Sequence, residues 1–176
     1  MKNNFKHSII VLVAAFAIMS CHSESGNVVD TFNAYQFDST VIEKLPLYDS
    51  LAQTIVTNMA LFKRNTEAGD DTHAFRYMPG ETNFNEFSEL PASIEPQLSK
   101  ILQTIGPNGI TGFDVYKDSS IKMFVRTTTL NTIITTEMLS FFPADNNVKR
   151  REQPFKDSLL NEHWLYWVRF DKEGIF

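Results

Sequence analysis

The spacing of apolar residues changes near the middle of this chain, and that change limits the folds that it can adopt. Up to residue 105 the spacing is that of one helix face, and the stripe consists of Leu98, Ile101, Leu102 and Ile105. From residue 110 onward, apolar and polar residues alternate, as they do in a strand with one buried face. The chain therefore predicts helices first and an antiparallel sheet after them, which is an α+β arrangement.

The alternating segment predicts a β-hairpin. Its strands would be residues 110–117 and 121–129, joined by the three-residue loop Asp118-Ser119-Ser120. Placing Lys117 opposite Ile121 gathers the apolar residues on one face: Phe113, Val115, Ile121, Met123 and Val125. The other face then carries charged and aromatic residues: Asp114, Tyr116, Lys122, Phe124 and Arg126.

The remaining patterns predict a second helix and further strands. One helix begins at Pro46, and the stripe 98–105 forms the other, with Ser93 as its N-cap and Gly106 as its stop. Further strands are predicted over 73–77, 131–142 and 164–170. The last is apolar on both faces, so we expect it to be central or covered twice. The predicted fold is two helices packed on one face of an antiparallel meander of four to five strands.

The first 21 residues have the layout of a secretory signal peptide. Lys2 and Lys6 precede an apolar run over 9–19, and the small Ser20 comes before Cys21. The run is too short for a transmembrane helix, which needs about 20 residues. The predicted division is a signal peptide over 1–20, a polar tether over 21–40 and one α+β domain over 41–176.

Residues 18–21, Ile-Met-Ser-Cys, resemble the lipobox of bacterial lipoproteins. The resemblance implies cleavage before Cys21 and acylation of this residue, for example with palmitate, so that the lipid bilayer becomes its partner. Cys21 is the only cysteine in the chain, and acylation would account for a thiol that has no disulfide partner. His22 follows it, where the sorting rule of enteric bacteria places an Asp for retention in the inner membrane. The resemblance thus implies the outer membrane, with the domain facing the periplasm or the exterior.

Net charge argues against one class of partner. The whole chain carries 16 basic and 21 acidic residues; without Lys2 and Lys6 the charge is 14 − 21 = −7. A nucleic-acid phosphate backbone favours positively charged proteins, so we expect no nucleic-acid binding.

The candidates for chemistry are few. His73 and His163 are the plausible general bases, and Asp70 and Asp71 precede His73 in a long irregular stretch over 65–92. These acids and His73 could ligate a metal, but a solvated acidic loop is the preferred interpretation. The basic run 149–151 is likewise interpreted as a solvated loop. We expect no catalytic residue, metal or cofactor.

The leading hypothesis is a lipid-anchored, non-enzymatic binding module. Its interaction face would be the mixed face of the hairpin, because aromatic residues and Arg are common in interface cores. One alternative for that face is a solvated surface with a cross-strand charge pair. The alternative functions are a small periplasmic hydrolase using His73 or His163, and an immunity-type protective protein.

Overall fold

The structure is a computed structural model, and it describes residues 31, 33–62, 73–80, 89–130, 132–143 and 155–172. Three helices have both ends among these residues: α1 (Ser39–Glu43), α2 (Leu45–Thr57) and α3 (Glu95–Ile105). A short 3-10 helix, Met59–Leu61, follows α2. The strands are β1 (His73–Tyr77), β2 (Gly112–Tyr116), β3 (Ile121–Leu130), β4 (Ile133–Phe141), β5 (Phe155–Leu159) and β6 (Trp164–Lys172).

The six strands form one sheet in the order β1-β2-β3-β4-β6-β5, and every neighbouring pair is antiparallel. The predicted α+β class is therefore confirmed. β1 to β4 follow one another as a meander. β6 then lies between β4 and β5, so the last two strands occur in the sheet in the reverse of their order in the chain. β5 is an edge strand that the sequence analysis did not predict.

The two faces of the sheet are unequal. On the face that the helices cover, called the helix face, strand residues and helix residues form the main core, including Tyr48, Leu51, Ile55, Leu98, Phe113 and Tyr166. On the opposite face, called the second face, Met138, Leu165 and Trp167 form a smaller buried cluster. β6 supplies residues to both clusters, as expected of a strand that is apolar on both faces.

The helices follow the predicted stripes, with one correction at an end. α2 has a Pro in its first turn and buries Leu51 and Ile55. α3 ends at Gly106, whose φ of 87° is a conformation that favours glycine. The prediction of Ser93 as N-cap of α3 is wrong, since Ile94 occupies that position without a side-chain cap. The amide groups of Ile94 and Glu95 instead donate to the carbonyl of Pro91.

Apart from Arg126, the residues of the hairpin lie on the predicted faces, but the register is not the predicted one. Val115 lies opposite Ile121 and Phe113 opposite Met123, two positions away from the predicted pairing. A shift of two residues leaves every side chain on its original face, because the strand period is two. The connection is longer than predicted: the strands end at Tyr116 and begin again at Ile121.

The segment before α1 packs against the sheet. The Tyr35 ring meets Phe170 edge-on at a centroid distance of 5.6 Å, and the Phe37 ring lies 4.8 Å from that of Tyr166. Lys156 Nζ donates to the carbonyl of Tyr35 at 2.5 Å. Packing on the domain thus begins before residue 41, where the domain was predicted to start.

Candidate functional site

Four of the five residues of the predicted interaction face gather on the second face, around Asp114. Its side chain is fully buried, and Arg76 of β1 donates to both of its oxygens, from Nε at 2.7 Å and Nη2 at 3.0 Å. Lys122 of β3 places Nζ 3.6 Å from Asp114 Oδ2. The pairing Asp114 opposite Lys122 in the hairpin and Arg76 opposite Asp114 at the edge brings these three charges into one row. One buried carboxylate therefore joins three neighbouring strands.

Lys122 also lies against two aromatic rings. Its Nζ is 5.5 Å from the ring centroid of Tyr116 and 5.3 Å from that of Phe124. A cation within about 6 Å of a ring centroid is attracted by the negative face of the ring. The side chain of Lys122 keeps 23% of its surface exposed, so the ammonium is ordered and still accessible.

A recess with a volume of about 160 Å³ opens beside this lysine. We call it the Lys122 recess, and its lining consists of Tyr116, Ser120, Ile121, Lys122, Ser140, Phe142 and Trp167. Trp167 Nε1 donates to Ser140 Oγ at 2.9 Å, which fixes the indole at one wall. Ordered aromatic surface thus adjoins an accessible cation.

Arg126, the fifth predicted residue, does not join the other four. In the β3–β4 pairing Phe124 lies opposite Met138, but Arg126 lies opposite Glu137, so Val125 is an extra residue in β3. Such a β-bulge breaks the alternation of faces. Arg126 is consequently turned to the helix face, and its placement on the predicted interaction face is corrected.

On the helix face Arg126 belongs to a different cluster. Its Nε donates to Glu137 Oε1 at 2.6 Å, and its Nη1 lies 2.9 Å from Asp38 Oδ2. The Tyr166 hydroxyl donates to the other oxygen of Glu137, whose residue is only 2% exposed. Burial and this hydrogen bond raise the pKa of Tyr166, so it stays a neutral donor at physiological pH.

The predicted histidines do not converge. His73 begins β1 and His163 immediately precedes β6, and four strand spacings of about 4.8 Å separate those strands, or roughly 19 Å. His163 Nδ1 lies 2.9 Å from the carbonyl of Phe142, and Nε2 lies 3.7 Å from Glu162 Oε1. The backbone positions of the two histidines therefore lie on well-separated strands of the sheet.

Other predicted positions lie outside the described residues: Cys21, Asp70, Asp71 and the basic run 149–151, together with the side chain of His73. Within the described ranges no group of three or more His, Cys, Asp or Glu side chains could hold a metal. The helices seen in those ranges are all too short or too polar to cross a membrane.

Six residues of this site were not predicted to belong to it: Arg76, Ser120, Ile121, Ser140, Phe142 and Trp167. Arg76 was hidden because nothing in the alternation of β1 shows which strand lies beside it. For Trp167 a signal was present, since a strand that is apolar on both faces requires packing on the second face as well.

Comparison of the chain with protein-family models, with curated proteins and with solved structures finds no match. The function of the domain must therefore be inferred from its own residues.

Proposed function

We propose that this protein is a lipid-anchored envelope protein whose α+β domain is a non-enzymatic binding module for another protein. The observation that carries the proposal is the Lys122 recess, where an accessible ammonium lies against two rings beside an anchored indole. Aromatic residues and cations of this kind are enriched at the centres of protein interfaces.

The size of the recess favours a protein partner over a metabolite. Pockets for small molecules usually have volumes of about 300–1,000 Å³. The Lys122 recess, at about 160 Å³, offers room for one side chain. Because Trp167 and Asp114 are already held by hydrogen bonds, little side-chain entropy would be lost on binding. A partner side chain inserted into the recess would therefore act as an anchor for a larger contact.

The location of the protein is part of the same proposal. Cys21 and the apolar run before it support export followed by acylation, and the predicted site is the outer membrane. More than one acyl chain gives stable attachment, whereas a single chain binds reversibly. The domain would then be displayed near a bilayer, where its partners are other envelope proteins.

Site-specific photo-crosslinking tests the binding surface. A benzophenone amino acid at Phe124, beside Lys122, should form an adduct with one envelope protein in living cells. The matched control places the same amino acid at Thr129, an exposed position on the same strand. We expect the adduct from position 124 alone, and we expect Lys122→Met to weaken it while circular dichroism shows the variant folded.

Equal adducts from both positions, or none from position 124, would show that the Lys122 recess does not bind a partner. The anchor has its own test: metabolic labelling with palmitate should mark the wild-type protein and not Cys21→Ser. Label retained by Cys21→Ser would contradict acylation at this residue without affecting the proposal for the recess.

A further inference from the structure

A second and larger cavity lies on the other side of the hairpin, where α3 ends beside β1 and β2. We call it the helix-end pocket, and its volume is about 370 Å³. Leu102 and Ile110 supply aliphatic surface, the Tyr77 ring forms one wall, and Pro79 and Pro107 lie at its borders. It shares no lining residue with the Lys122 recess.

The size of the helix-end pocket suits a small organic molecule. Its volume falls within the range of about 300–1,000 Å³ that is typical of ligand sites. An apolar cavity of about 150 Å³ is sufficient to bind benzene. The helix-end pocket therefore has room for a molecule of two fused or linked rings, or for an aliphatic chain of comparable size.

The lining favours an uncharged ligand. None of the described residues that line the pocket is charged, although a fifth of the whole chain is Asp, Glu, Lys or Arg. A charged ligand would lose its hydration there without gaining a partner of opposite charge. Burial raises the pKa of Tyr77, and the charge of Glu95 raises it further, so the wall stays neutral and the nearby field opposes anions. Neutral hydrogen-bonding groups remain at Tyr77 and Gln103.

Backbone constraints maintain the pocket. Gly106 adopts a φ of 87° and turns the chain sharply at the end of α3, which directs Pro107 away from the helix axis. At Gly112 an added Cβ would lie 2.4 Å from the carbonyl oxygen of Tyr77, so the absence of a side chain lets β1 approach β2 closely. These two features hold the Tyr77 wall and the α3 wall in fixed positions.

We propose that the helix-end pocket is a binding site for an uncharged, mostly apolar small molecule, separate from the protein-binding surface. The volume of the cavity and the chemistry of its lining carry this inference together.

Two matched fluorescent probes test it. N-phenyl-1-naphthylamine is uncharged, and 8-anilinonaphthalene-1-sulfonate has the same ring system with a sulfonate added. Both would be titrated into the full chain carrying Cys21→Ser, which has no acyl group to bind the probes. We expect saturable binding of the uncharged probe and binding of the sulfonate about tenfold weaker, as desolvation of an unpaired charge implies.

Variants then locate the site. Leu102→Trp fills the cavity and should weaken binding of the uncharged probe by about tenfold or more, because the indole would occupy the space that the probe needs. Gln103→Glu places a charge at the rim and should weaken binding as well. Its matched control is Gln97→Glu, which lies on the same helix outside the lining and should leave binding unchanged.

The proposal is overturned if the uncharged probe does not bind, or if Leu102→Trp and Gln103→Glu both bind it as the wild type does while circular dichroism shows them folded. NMR spectra of the backbone amides check the location of the bound probe, which should change the chemical shifts of Ile110 and Thr111. Lys122→Met should not alter probe binding, so this site and the protein-binding surface can fail independently.

Discussion

Among the described residues each face of the sheet buries one carboxylate, Asp114 on the second face and Glu137 on the helix face. The two carboxylates connect different parts of the molecule. On the second face Asp114 accepts two hydrogen bonds from Arg76, an edge-strand residue, and lies near Lys122. All three residues belong to adjacent strands, so the cluster fixes strand to strand directly beside the Lys122 recess. The contacts within this cluster therefore also hold the side chains of the proposed binding surface in place.

On the helix face Glu137 is held by Tyr166 and Arg126, and Arg126 also reaches Asp38 in the segment before α1. This cluster fixes the N-terminal segment to the sheet rather than strand to strand. Similar ion pairs thus stabilise two different contacts, one between strands and one between the N-terminal segment and the sheet. The bulge at Val125 places Arg126 in the second of them.

The largest expected effect comes from the second face. Arg76→Met leaves the fully buried Asp114 without the two hydrogen bonds that Arg76 donates and should reduce the free energy of unfolding by about 3 kcal/mol or more. The exposed pair of Arg169 and Asp171 is the control, and Arg169→Met should cost at most about 1 kcal/mol. Urea denaturation measures both, and equal losses would refute the distinction.

Close backbone approach at the edge of the second face gives the next effect. Gly112→Ala would place a Cβ 2.4 Å from the backbone carbonyl oxygen of Tyr77, so β1 must move, at a cost of about 2–3 kcal/mol. Gly80→Ala is the control, because nothing lies within 4 Å of its added Cβ. Thermal denaturation should separate the two variants; a Gly112→Ala protein as stable as Gly80→Ala would show that β1 yields freely.

The hydrogen bonds of Tyr166 and Trp167, which are neighbours in β6, compare the two faces directly. Tyr166→Phe removes the hydroxyl that donates to Glu137, and we expect a loss of about 2 kcal/mol, as for hydrogen bonds to charged groups. Ser140→Ala removes the acceptor of Trp167 Nε1 and should cost about 1 kcal/mol. Urea denaturation of both variants gives the order of the losses, and the reverse order would mean that the second-face cluster is the more tightly coupled.

The smallest effect concerns the N-terminal segment and depends on pH. Hydrogen bonds from the hydroxyl and the amide of Thr40, with the charge of Arg126, lower the pKa of Asp38. A lowered pKa means that this contribution to stability is present above the unfolded value, near 3.9, and disappears as pH falls through the folded value. Asp38→Ala should therefore be less stable than wild type by about 1 kcal/mol at pH 6. Denaturation between pH 6 and pH 2 should show this gap closing, and a constant gap would exclude the charge as its cause.

Alternation predicted the faces of the hairpin because burial follows a period of two. It could not choose between registers that differ by two residues, since both place Phe113 and Met123 in the core. Local turn chemistry makes the choice: Asp118 Oδ1 accepts from the amide and the hydroxyl of Ser120, and Ser119 adopts a φ of 65°. Because of this tight turn, β2 ends at Tyr116 and β3 begins at Ile121.

The position of Arg126 could not be predicted for a different reason. A bulge leaves no mark in the hydrophobic pattern when the extra residue, here Val125, is itself apolar and buried. β5 was missed because its sequence, Phe-Lys-Asp-Ser-Leu, is dominated by polar residues. Its pairing with β6, rather than its own composition, makes it a strand.

The insertion of β6 between β4 and β5 also has a consequence for biosynthesis. Until residues 164–172 have left the ribosome, β5 lacks the partner with which it pairs and both buried clusters lack members. Domains in general fold as units during or after synthesis. We therefore expect this domain to stay open until β6 has been synthesised, and an open chain is the form that can be threaded through a secretion channel.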